Sequence, residues 1–368
     1  MFPLTKFTNL FEKNPFITDS KAKLSNVRVA YQTCGELNET RDNVVLVCHA
    51  LTGNAHASGL IGEEEIKNCS GEEYLNKYNL MFNGKAGWWD PLIGEGKVFD
   101  TSKYFVICSN IIGSCYGSSG PVSENGQGKK YRMSFPDVTV RDIVNVQKEL
   151  LDTLGVKKIK IAVGGSLGGM QVLEWGALFP EFVEKLIPIA GSAAHSPWAI
   201  ALNQVQRNTI MKDPLWNGGN YSEQPYDGLS NARRIAMISY RTYYSYLERF
   251  GRKIQEGKSQ YQIESYLDYQ GDKIVKRFDA NTYLYLTRIM DSNDVGRGRG
   301  GVKKALSEIK NKTLVIGIST DVLYPADEQR EIATAMPNAM YDEIKSPHGH
   351  DAFLIEFEQL ETILQKFI

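Results

Sequence analysis

Ser166 stands in the frame Gly164-Gly165-Ser166-Leu167-Gly168, and Asp321 and His350 follow it in the chain order nucleophile, acid, base. A serine hydroxyl is a poor nucleophile at neutral pH. It needs an imidazole within hydrogen-bond reach to take its proton, and the imidazole needs a carboxylate to fix its tautomer and stabilise its charged form. The residue types therefore suit acyl transfer through a covalent acyl-serine. Each position has a blander alternative. A serine at a strand-to-helix turn can simply cap the helix. Asp327 competes with Asp321, which is favoured because it follows a strand directly, and His348 competes with His350, from which spacing alone does not separate it. His49 and His56 suit shaping the loop after an earlier strand better than supplying the base.

The elements around these residues are what would bring them together. Ile159 to Val163 reads as a buried strand, and Leu167, Met170, Val172, Leu173 and Trp175 recur near helical spacing, so the chain turns from strand to helix within two or three residues. Such a turn strains the serine backbone and requires neighbours without bulk, which Gly164 and Gly168 satisfy. Where the helix starts, the Leu167 amide has no helical partner and can face negative charge developing on a carbonyl oxygen. A second amide is expected from the loop His49 to Gly53, most naturally that of Leu51.

Further strands are expected at residues 26–33, half-exposed in a hairpin at a sheet edge; at Val44 to Cys48, central and buried on both faces; and at Tyr104 to Cys108, Lys185 to Ile189, Thr313 to Ile318 and Met340 to Ile344. Helices are expected over Thr139 to Leu154, around Pro325 to Met336, and from Ala352 onward. Alternation of strand and helix implies an α/β chain with a mostly parallel central sheet flanked by helices, whose strand ends gather distant residues on one edge. Residues 198–302 break the alternation with aromatic-rich helical spacing, which predicts a helical lid inserted between core segments 1–197 and 303–368. The glycine loop Ser109 to Pro121 could cradle phosphates but suits turning the chain better, and Gly296 to Gly301 reads as a tight connection rather than an RNA-binding tract.

Lys plus Arg number 42 against 43 Asp plus Glu, a net charge of −1 that gives no bulk reason to expect nucleic acid or an anionic membrane as partner. No apolar run reaches the length of a signal peptide or a membrane span, so a cytoplasmic protein is expected. The five cysteines lack metal-ligand spacing and read as small buried hydrophobes; no metal site is expected.

Four separated motifs carry a resemblance: His49-Ala50-Leu51-Thr52-Gly53, Gly164 to Gln171, Tyr283 to Arg288 with Met290-Asp291, and Gly349-His350-Asp351-Ala352-Phe353-Leu354. Together they resemble the homoserine O-acetyltransferase family of methionine biosynthesis, over nearly the whole chain. That resemblance implies an α/β-hydrolase fold with a helical lid, a homodimer, and acetyl transfer from acetyl-CoA, a substrate rather than a bound cofactor, to the homoserine hydroxyl. It implies Ser166 as nucleophile with Asp321 and His350, Asp351 for the substrate ammonium, and Arg233 for the substrate carboxylate, a planar guanidinium being suited to that grip. Arg234 is adjacent to Arg233, and His348 is a histidine the family pattern does not contain. Homoserine O-succinyltransferase, serine O-acyltransferase and plain serine esterase are the alternatives on the same scaffold. A non-catalytic binding protein would have no need of an intact Ser, Asp and His set.

Overall fold

The computed structural model describes residues 3–368. Among the described residues eight strands form one sheet: β1 (Lys6–Leu10), β2 (Val27–Cys34), β3 (Val44–Cys48), β4 (Phe105–Ser109), β5 (Ile159–Gly165), β6 (Val183–Ile189), β7 (Lys312–Ile318) and β8 (Ala339–Ile344). Their order is β1-β2-β4-β3-β5-β6-β7-β8. β2 runs antiparallel to both β1 and β4, and every other pair is parallel.

β3 shows why the sheet is two-sided. All five of its residues are buried; Val44, Leu46 and Cys48 pack into the core on one face, and Val45 and Val47 into the core on the other. A strand covered on both sides has no reason to alternate with polar residues, hence the continuous apolar run. β2 departs from expectation. It lies second from the edge and is mostly buried, because β1, whose mixed sequence Lys-Phe-Thr-Asn-Leu gives little strand signal, pairs along its outer side.

Helices α1 (Glu73–Met81), α2 (Val140–Thr153) and α3 (Leu167–Leu178) belong to the first part of the chain. α2 starts on a capping box in which the Thr139 hydroxyl accepts from the Asp142 amide while the Asp142 carboxylate accepts from that of Thr139, an arrangement worth about 1 kcal/mol. Between β6 and β7 the chain forms α4 (Pro197–Lys212), α5 (Tyr226–Tyr240), α6 (Tyr243–Phe250), α7 (Gln262–Val275) and α8 (Ala280–Asp291), with no strand of the sheet among them. α9 (Ala326–Ala335) joins β7 to β8. The last helix, α10 (Phe357–Gln365), begins later than the sequence suggests, since Gly349–Leu354 winds as a 3-10 turn instead.

The two glycine-rich stretches serve packing. Gly120 approaches the Ser114 carbonyl closely enough to leave no room for a side chain, and Gly113 packs against Ile289. In the Gly296–Gly301 tract, Arg299 donates to both oxygens of the buried Glu174 at 2.6 and 2.9 Å, and Arg297 pairs with Asp19. Both guanidinium groups are engaged by carboxylates of the chain itself, Arg299 in a part-buried pair and Arg297 at the surface.

Candidate active site

The turn from β5 into α3 holds Ser166 at φ 60° and ψ −123°, a conformation that costs a non-glycine residue about 1–3 kcal/mol. Surrounding structure over-determines it. The Ser166 amide donates to the Ile189 carbonyl at 2.9 Å, and α3 crosses so close to β3 that a methyl on Gly168 would sit 2.1 Å from the Cys48 carbonyl oxygen, and one on Gly164 2.5 Å from it. Glycine at both positions is therefore a steric requirement of the turn. The Ser166 side chain makes no capping bond to α3, so its hydroxyl is left free for chemistry.

His350 sits in the 3-10 turn after β8. Its Nδ1 lies 2.7 Å from Asp321 Oδ2, and Asp321 Oδ1 accepts the amides of Leu323 at 2.8 Å and Tyr324 at 3.0 Å. Both side chains are buried. Burial alone would depress the imidazole pKa, but the Asp321 charge and hydrogen bond, with a smaller contribution from Asp351, outweigh it and hold it above 6.5. The pairing fixes Nδ1 toward the acid and leaves Nε2 as the basic nitrogen.

Ser166, His350, Asp351, Arg233 and Leu51 all line one cavity of about 280 Å3, whose wall also includes Trp88, Tyr240 and Arg277. Asp321 stands behind His350, and Leu167 is buried at the start of α3. Among the described residues, neither the Leu51 nor the Leu167 amide is hydrogen-bonded to a backbone carbonyl. Gln171 fixes the relation between these two amides. From one turn into α3 its amide nitrogen donates to the carbonyls of Leu167 and His49 at 3.1 and 3.2 Å. A larger groove of about 880 Å3 over Val302, Glu328 and Arg330 contains none of these groups.

The competing residues separate cleanly in space. His348 borders a different cavity, with Arg241, Ser245, Glu248 and Arg249, and Asp327 is exposed and paired with Arg330. Arg234 turns to Asp268 at 3.1 Å, whereas Arg233 faces the Ser166 cavity and lies 5.7 Å from the Tyr240 ring. His49 is fully buried; its Nδ1 meets the Ala50 carbonyl at 2.8 Å and its Nε2 accepts the Ile111 amide. Burial lowers its pKa to about 4, so it is a neutral brace of the loop that presents Leu51. His56 is likewise buried against Gln32.

Several neighbours carried no sequence signal. Arg241 Nε lies 3.0 Å from Asp351 Oδ2, so that carboxylate already has a cation beside it. Tyr240 stands between Arg233 and His350, its ring 5.7 Å from the imidazole. Arg277 donates to the Thr52 carbonyl at 3.3 Å and to the Tyr116 hydroxyl. Long-range partners of this kind leave no periodicity or spacing behind them. Among the described residues no group of three or more His, Cys, Asp or Glu is arranged to hold a metal ion, and no helix is long and apolar enough to cross a membrane.

Comparison with known proteins agrees with this fold. The profile of the alpha/beta hydrolase fold matches residues 43–357. A homoserine O-acetyltransferase of Carboxydothermus hydrogenoformans is 48% identical over 361 residues, covering 94% of this chain and 90% of the relative. The crystal structure of homoserine O-acetyltransferase from Bacillus anthracis superposes with a TM-score of 0.87 at 27% identity, covering 100% of this chain and 98% of that one. Esterase E22 superposes equally well, at TM-score 0.87 and 26% identity, over the full length of both chains. The fold admits both names, but near-half identity along almost the entire length reaches beyond the fold, and by it the chain belongs to the homoserine O-acetyltransferase family.

Proposed function

We propose that this chain transfers an acetyl group from acetyl-CoA to the hydroxyl of L-homoserine, a step of methionine biosynthesis, through an acyl-serine. The observation that carries the reading is the convergence of Ser166, His350, Arg233 and Asp351 on one small cavity, which suits an amino-acid acceptor. Ser166 attacks the thioester carbonyl while His350 takes its proton, and the carbonyl oxygen gathers charge opposite the Leu51 and Leu167 amides. Breaking the carbon–sulfur bond releases CoA, whose thiolate receives the proton from His350. The homoserine hydroxyl then gives its proton to His350 as it attacks the acyl-serine, and Ser166 leaves with that proton restored.

Arg233 grips the acceptor carboxylate and Asp351 its ammonium. Arg241 behind Asp351, 3.0 Å away, orients that carboxylate for the task. The insertion 198–302 acts as a lid that supplies Arg233, Tyr240 and Arg277 to the cavity wall. Two copies pairing through the lid is supported by the exposed Ile238, Tyr243, Tyr244 and Leu247, and the ordinary charge balance suits a cytoplasmic enzyme.

A second reading, hydrolysis of the acyl-serine by water, is favoured by the likeness to esterase E22. The test crosses acetyl-CoA and succinyl-CoA with homoserine, serine and no acceptor, following free thiol. Homoserine-dependent thiol release from acetyl-CoA is expected. Equal release without an acceptor would make the chain a hydrolase, and preference for succinyl-CoA or serine would reassign the substrates.

A further inference from the structure

The one carboxylate lining the Ser166 cavity among the described residues, Asp351, is paired with Arg241, and the other cations at the cavity have no ion-pair partner. Arg277 lines the cavity and is more than nine-tenths buried; its Nε has no partner, and its bonds go to two neutral oxygens, the Thr52 carbonyl and the Tyr116 hydroxyl. Lys273, one helical turn earlier at the end of α7, is half-buried with its ammonium 4.8 Å from the centre of the Phe82 ring and 5.9 Å from that of Tyr269. Phe82 and Tyr78 are themselves part of the cavity wall, and Arg277 lies 5.7 Å from the Tyr78 ring. Among the described residues none of Arg233, Lys273 and Arg277 forms an ion pair with a carboxylate, while Arg234 and Arg241 close by each do. Burial first, then the charges of Arg277 and Arg233, push the Lys273 pKa down.

Burying a guanidinium without a counter-charge is expensive, and placing further cations beside it adds repulsion. The carbonyls at the end of α7 offset part of this cost, but a helix terminus supplies only about half a charge. An incoming anion would supply the rest. The acceptor brings one carboxylate, already matched by Arg233, whereas the donor named above is a nucleotide thioester whose diphosphate must lie outside the cavity when its acyl group reaches Ser166.

We propose that Lys273, seated on Phe82 with Arg277 behind it, is a phosphate-binding lip at the cavity mouth that takes the diphosphate of the CoA donor. The assignment rests on acetyl-CoA being the acyl donor. Arg277 is locked to the loop carrying Leu51 and supplies fixed positive potential; the Lys273 ammonium, on the flexible stem of a lysine, makes the contact, its aromatic support compensating for partial desolvation.

Rapid-quench acylation of the full-length protein compares acetyl-CoA with S-acetylpantetheine, which carries the same thioester and arm but no phosphates. Lys273→Met should lower the acylation rate constant per concentration of acetyl-CoA about ten-fold, leave S-acetylpantetheine within about two-fold, and flatten the salt dependence seen with acetyl-CoA. Lys273→Arg should restore most of the loss. Equal losses with both donors would make Lys273 a packing residue, an unchanged acetyl-CoA rate would remove it from the donor site, and a loss confined to transfer onto homoserine would assign it to the acceptor; each overturns the proposal. If the wild type is acylated by neither donor, the donor reading fails on its own, and equilibrium dialysis of CoA against wild type and Lys273→Met still decides the phosphate site by whether the variant binds CoA less tightly.

Discussion

His350→Ala lowers turnover by roughly three to five orders of magnitude, while His348→Ala changes it by no more than a few-fold. Both histidines precede the final helix and lie two residues apart, yet only His350 is bonded to Asp321 and faces the Ser166 cavity. His348 borders a separate cavity and its Nδ1 has no partner to lose. The same pair sets the pH response. In the proposed mechanism acylation requires neutral His350, and the Asp321 carboxylate favours the protonated form, so kcat/KM for the donor should rise with pH through a midpoint above 6.5. Asp321→Asn removes the group that raises the pKa and leaves burial to depress it, so the acid limb should move to lower pH as the maximal rate falls. Equal losses from the two histidine variants, or an acid limb that does not move in Asp321→Asn, would mean that another group is the base.

Arg233→Ala should lower kcat/KM for homoserine by roughly thirty- to two-hundred-fold, which corresponds to about 2–3 kcal/mol for one charged contact in a half-closed cleft. Acylation of Ser166 by acetyl-CoA should stay nearly intact, because the donor's acetyl end carries no matching carboxylate. Homoserine enters as a zwitterion, and both ends lose water when the cleft holds it. Each needs a partner. Pre-steady-state measurement of the two half-reactions separates the effects; a collapse of acylation together with transfer would assign Arg233 to the donor or to the fold. Arg234→Ala is the control, since its guanidinium is engaged by Asp268 away from the cavity.

Much of this arrangement is legible in the sequence because it depends on local rules. Small residues around Ser166 announce a turn where bulk is excluded, and the collision of any Gly168 side chain with the Cys48 carbonyl gives that rule its cause. Continuous apolar runs such as Val44–Cys48 reveal strands covered on both faces. β1 stays hidden because an edge strand needs only one buried face, and its Lys6, Thr8 and Asn9 dilute the signal. Partnerships across the fold are hidden for a different reason. Arg241 meets Asp351 from 110 residues away and Arg277 meets Thr52 from 225, and no propensity encodes such a meeting. For the same reason the sequence leaves His348 level with His350: only the path of the 3-10 turn sends one imidazole to Asp321 and the other elsewhere.

The central claim is a covalent acetyl group on Ser166, and intact-mass and peptide analysis after rapid quenching with acetyl-CoA, without acceptor, tests it most directly. One added acetyl mass on the peptide containing Ser166, discharged on adding homoserine, is the predicted result. Label on any other residue, or no label at times when a wild-type turnover with homoserine is complete, would contradict it.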